Sequence, residues 1–143
     1  MKSKFLIIIF LIASATTKAQ QCTSFPCNIL NVAVSTDTFF NTMLVPKTDS
    51  QNLVLIDTNF YFKNCDTIKI QERILRFERV LPYKINKINP LESINKIVLF
   101  KVDYCKGKYT LHFWRPVNNA VIVQQVHEKK KNLIVKTISY GAF

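Results

Sequence analysis

The last fifty or so residues constrain the fold most. Apolar and polar side chains alternate there in four runs, 95–104, 108–115, 120–128 and 132–140. A period of two is the signature of half-buried strands. Between the runs stand Lys106-Gly107, Asn118-Asn119 and Lys129-Lys130-Lys131. Gly and Asn accept the positive φ that tight hairpins require, so the first two pairs read as two-residue turns. The expected product is a four-stranded antiparallel meander.

Those turns set a register. A turn at Lys106-Gly107 puts Val102 opposite Leu111 and Phe100 opposite Phe113, and one at Asn118-Asn119 puts Leu111 opposite Val126. One face then collects Val98, Phe100, Val102, Leu111, Phe113, Ile122, Val126, Leu133 and Val135 as the expected core. The other face divides. Its apolar end, with Ile97, Leu99, Trp114, Val121, Val123, Ile138 and Tyr140, needs a cover such as an N-terminal helix. Its polar end carries Lys101, Asp103, Thr110, His112, Gln125, His127 and Lys136. A covered half beside an open half suggests a shallow concave pocket, which makes Lys101, His112, Gln125, His127 and Lys136 candidate binding residues. In this register His112 and His127 are diagonal neighbours, about 7–8 Å apart.

Upstream, Ile29, Val32, Ala33, Phe40 and Met43 fall roughly on one helical face over residues 27–43, interrupted by polar Thr36, so one amphipathic helix is expected there. Pro46 and the polar residues 47–52 end it in a loop. Residues 53–62 are rich in Leu, Val, Ile, Phe and Tyr and suit a strand, closed by a turn at Lys63-Asn64-Cys65-Asp66. Residues 67–81 would stripe a helix or alternate as two short strands. β-Branching at their start and Pro82 at their end favour strands. Pro82, Pro90 and several Asn and Lys make 83–93 a long connection. The expected class is α+β: an N-terminal helix packed on a mainly antiparallel sheet that ends in the meander. In element order alone this resembles cystatin-like and NTF2-like folds, and element order fixes no function.

The N-terminus bears on compartment. Met1-Lys2-Ser3-Lys4 is a short cationic start, an apolar run follows, and Thr17-Lys18-Ala19 offers a small-residue cleavage site. Residues 1–19 therefore read as a secretory signal peptide, because the apolar run is shorter than the 17 to 25 or so residues that span a bilayer. Residues 20–143 are then one exported domain, periplasmic or extracellular, with no transmembrane span after processing. Gln21, immediately before Cys22, is too bulky for a lipoprotein acylation site. An even cysteine count in such a domain favours disulfides over metal. Cys22, Cys27, Cys65 and Cys105 allow three pairings, of which 22–27 with 65–105 is preferred: the first two are close in sequence and the last two flank turns.

Only Gly107 and Gly141 are present, so phosphate-cradling loops, dinucleotide fingerprints and serine elbows lack their essential residues. No cofactor or metal motif stands out. Charge is uneven instead: losing Lys2, Lys4 and Lys18 lowers the net charge from +11 to +8, and residues 62–143 hold 16 Lys plus Arg against six acids. That half suits an anionic polymer, a lipid headgroup or an acidic protein, with Lys129, Lys130 and Lys131 as further candidate contacts. Nucleic acid is disfavoured, because strand alternation sends Phe113 and Trp114 to opposite faces. The expected function is an exported non-enzymatic binding module whose basic C-terminal sheet contacts an anionic envelope component or acidic partner. The alternative is a small secreted hydrolase or ligand-pocket protein with a site near His112, His127 and Asp103.

Overall fold

The structure, a computed structural model, describes residues 24–43, 53–70, 73–80, 88–89 and 94–142. The signal-peptide reading, Cys22, the 46–52 loop and most of the 83–93 connection lie outside them. The described elements run α1 (Cys27–Val34), α2 (Asp37–Met43), β1 (Leu53–Asp57), β2 (Thr67–Ile70), β3 (Arg73–Arg79), β4 (Lys96–Cys105), β5 (Lys108–Arg115), β6 (Ala120–Lys129) and β7 (Asn132–Ala142). The fold is mixed α+β.

The seven strands form one sheet in the order β2-β3-β1-β4-β5-β6-β7. The C-terminal meander is antiparallel throughout, as its alternation requires. β1 differs, lying between β3 and β4 and parallel to both. Its neighbours reach it through longer connections, which no hairpin signal marks. β1 also stops five residues short of the apolar run that suggested it. The Asp57 carboxylate accepts hydrogen bonds from the backbone N–H of Tyr61 and Phe62, at 3.0 and 2.8 Å. Phe60 turns through a φ of 57°, and the chain leaves the sheet.

The expected single helix is two. Ser35 Oγ donates to the Asn31 carbonyl at 2.6 Å, closing α1, and Thr36 Oγ1 accepts from the backbone N–H of Phe39 at 3.0 Å, capping α2. Hydroxyls that satisfy helix-end backbone groups favour a break over a continuous helix. The break is tied to the sheet, because fully buried Gln124 donates to Thr36 Oγ1 at 3.2 Å and accepts from Thr137 Oγ1 at 3.1 Å.

Both helices pack on the face that carries Leu111, Phe113, Ile122 and Val126, with the Phe39 ring edge-on to Phe113 at 5.1 Å. The cover therefore lies on the core face and not on the opposite one. α1 touches both β2 and β7, the two edges of the sheet. Flat, seven strands would hold their edges ~29 Å apart at about 4.8 Å per spacing, whereas a helix is only about 10–12 Å across. The sheet curls around the helices, so the face turned away from α1 and α2 is convex.

Two irregularities decide which residues reach the core. β4 bulges at Phe100, between Leu99 and Lys101, where β1 has ended and Thr58 bonds to the Leu99 carbonyl through both its backbone N–H and its hydroxyl. Leu99, not Phe100, faces Phe113. Ile97 and Leu99 consequently join the helix-side core, while Val98 turns to the opposite side, where it is still fully buried next to Ile56, and Phe100 is 37% exposed. A second bulge, between Val123 and Gln124, pairs Tyr140 with Ile122 and leaves Ile138 and Tyr140 exposed. Val102, Leu111, Phe113, Ile122 and Val126 lie in the core as expected, with Leu133 and Val135 packed against it.

Candidate functional site

Residues paired across a sheet point to the same side, so the register locates the sequence candidates directly. Lys101 pairs with His112, Asp103 with Thr110, Thr110 with Gln125, and Gln125 with Lys136. His127 pairs with Lys108 on one side and Ile134 on the other. All the expected polar-end residues therefore share the face turned away from α1 and α2. That face is convex and not the concave pocket expected, because the helices occupy the inside of the curl.

The two histidines are further apart than the sequence register places them. The β5–β6 connection is a four-residue turn at residues 116–119, closed by the pair Arg115–Ala120, instead of a two-residue turn at Asn118-Asn119. Asn118 Oδ1 accepts from the Ala120 N–H at 3.2 Å and Asn119 Oδ1 accepts from Trp114 Nε1 at 2.9 Å, which holds the wider turn. The register moves by two, so Leu111 faces Gln124 and not Val126, and His112 faces Val123. His127 is then four residues along the strand, ~14 Å away at about 3.4 Å per residue. Faces survive because the shift is even. The proximity of His112 to His127 does not.

One small polar cluster does form. Asp103 Oδ2 lies 2.9 Å from Lys101 Nζ and 3.4 Å from His112 Nε2, and the His112 ring sits 5.7 Å from that of Phe100. Burial holds the His112 pKa below its ordinary value, and the attraction of Asp103 only partly offsets this. Lys101 and Asp103 are exposed, so their pair contributes little stability. Among the described residues no group of three His, Cys, Asp or Glu side chains is placed to hold a metal ion.

Charge on the face is one-sided. From β4 to β7 it carries Lys96, Lys101, Lys108, Lys129 and Lys136 against the carboxylate of Asp103, and Lys96 also lies 3.9 Å from Glu78 of β3. The β6–β7 hairpin adds Lys130 and Lys131 at its tip. Lys129 pairs with Asn132 at the strand end, so the turn itself is Lys130-Lys131, with φ values of 51° and 68°. Left-handed backbone costs an L side chain roughly 1–2 kcal/mol, and two-residue turns of this hand favour Asn-Gly. Two lysines stand where a neutral pair would be more stable.

The cysteines pair differently from the preferred assignment. Cys27 is bonded to Cys65, with Cα atoms 5.7 Å apart, and Cys105 is exposed and bonded to no cysteine among the described residues. Cys65 is buried in the core on the helix side, where Arg79 Nη2 donates to the carbonyls of Phe62, Lys63 and Cys65 and fixes the turn. Cys105 pairs with Lys108 on the convex side, so a 65–105 bond would have to cross the sheet. The first residue of α1, by contrast, lies directly against the turn before β2.

Two features had no counterpart in the sequence reading. A shallow groove of about 360 Å³ runs between α1 and β2, lined by Cys27, Asn28, Asn31, Thr67, Ile68 and Lys69. Phe100, assigned to the core by alternation, stands on the convex face because of a bulge that no residue pattern announces. Comparison of the chain with protein-family models, curated proteins and solved structures finds no match. No described helix is long and apolar enough to cross a membrane.

Proposed function

We propose that the protein is an exported, non-enzymatic binding module that holds an anionic envelope component or acidic partner against the convex face of its C-terminal sheet. The observation that carries this reading is the charge of that face: with Lys96 set aside as the partner of Glu78, four lysines stand against the one carboxylate of Asp103 over four strands. The lysines are spread over the four strands with none directly opposite another, so an anionic ligand laid across the face would meet several of them at once. The lysine turn supports the same reading, since Lys130 and Lys131 keep charge at the hairpin tip at a cost in backbone strain. Export rests on residues 1–19 and on the Cys27–Cys65 bond, which suits an oxidising compartment.

A double substitution, Lys130→Asn with Lys131→Gly, separates the two roles of the turn. Replacing the strained pair should raise folding stability by about 1 kcal/mol. The same change removes two cations, so affinity for a soluble polyanion such as polyphosphate should fall, and residual binding should weaken further as salt shortens the Debye length to about 8 Å. Stability and binding move in opposite directions, which excludes unfolding as the cause. Absence of polyanion binding by the unsubstituted protein at low salt would refute the proposal.

A further inference from the structure

The convex face is not uniformly polar. Beside the lysines, across β4 to β6, lies an apolar strip: Phe100 next to His112, Trp114 opposite Val121, and Val123 opposite His112. Trp114, Val121 and Val123 are half-buried, and Phe100 is 37% exposed. Phe100 is the informative member. An unbroken β4 would have placed it in the core opposite Phe113, and the bulge turns it out to solvent. Bulges re-aim side chains in this way: Leu99 takes the place opposite Phe113, and the Phe100 ring is left at the surface beside His112.

Building on the anionic-partner reading, we infer that the partner is the surface of an anionic lipid bilayer, with Phe100 and Trp114 entering the headgroup region while Lys101 and Lys136 meet the headgroups. A hydrated polyanion would use the lysines and gain nothing from the adjacent aromatics. The bilayer interface accommodates both, since aromatic rings settle at headgroup depth and each nearby lysine is attracted to an anionic leaflet. The curl presents this strip outward and keeps both helices on the far side of the sheet, so docking requires no rearrangement of the core.

Trp114 is the only tryptophan in the chain, which makes it a built-in probe. The mature protein is titrated with vesicles of phosphatidylcholine mixed with phosphatidylglycerol, with vesicles of phosphatidylcholine alone, and with soluble polyphosphate. With the anionic vesicles, the Trp114 emission should shift to the blue and be quenched by brominated acyl chains. Phosphatidylcholine alone should produce neither effect. Lys136→Glu should lower vesicle partitioning about fivefold or more, in line with about 1 kcal/mol per lysine near an anionic leaflet. Phe100→Ser, at an exposed position, should reduce acyl-chain quenching while the thermal midpoint stays within a few degrees. Binding to polyphosphate without a blue shift on anionic vesicles would overturn the bilayer inference and leave the anionic-partner reading standing. Binding to neither would overturn both. Equal binding to both vesicle types would overturn the role assigned to charge.

Discussion

Removing the Cys27–Cys65 bond should cost a large part of the stability of this domain. The bond closes a segment with a sequence separation of 38 that contains both helices and β1. Loop-closure entropy for that length is roughly 13 cal/mol/K, or about 4 kcal/mol at room temperature. A domain of this size has a total stability of about 5–15 kcal/mol. With about 2.1 cal/mol/K of unfolding entropy per residue, the same loss lowers the thermal midpoint by roughly 15 °C. The double variant Cys27→Ala with Cys65→Ala avoids placing a hydroxyl in the core where Cys65 is buried. Urea unfolding gives the free energy, and the slope reports whether the denatured state has also changed. Cys105→Ala is the control and should shift nothing, because that side chain is exposed and bonded to no cysteine among the described residues. A loss under about 1 kcal/mol in the double variant, or a non-reduced peptide map linking Cys27 to Cys22, would refute this account of the α1 anchor.

Two further outcomes follow from buried polar groups. Asp57→Ala leaves the N–H groups of Tyr61 and Phe62 without their acceptor, each costing about 1–3 kcal/mol; Asp57→Asn, which retains one carbonyl oxygen, should lose less by urea unfolding, and equal losses would contradict the role given to both oxygens. His112 has a folded pKa below its ordinary 6.5 because of burial, so the unfolded chain takes up the proton first and stability falls as pH drops through that value, levelling off below the lower folded pKa. His112→Gln should flatten this component in thermal scans across the range, and a profile identical to that of the unsubstituted protein would show that His112 is not its source.

The meander was legible because its alternation spans four consecutive strands and Lys106-Gly107 fixes one turn beyond doubt of chemistry: Val102 faces Leu111 as the spacing dictates. The β5–β6 register was misplaced by two, since Asn118 and Asn119 act through side-chain hydrogen bonds that widen the turn. An even error preserved every face assignment on β5 and β6, including those of His112, Gln125 and His127. Thr36 was visible as a polar gap in a helical stripe, but reading it as a cap requires knowing that Gln124, 88 residues away, meets it. The bulge at Phe100 depends on where β1 ends, and that depends on the Asp57 turn. Neither is encoded near Phe100. Cysteine pairing was equally non-local, because the side of the sheet on which Cys65 and Cys105 stand is set by packing and not by their adjacent turns.

The central claim, that the convex face is the binding surface, is tested most directly by mapping backbone amide chemical shifts during titration with an anionic ligand, soluble polyphosphate or anionic bicelles. The account predicts perturbations concentrated at Lys101, Lys108, His112, Gln125 and Lys136 and at the Lys130-Lys131 turn, collapsing as salt is raised. Perturbations confined to the α1–β2 groove around Asn28, Asn31 and Lys69, with the β4–β7 face unmoved, would contradict it.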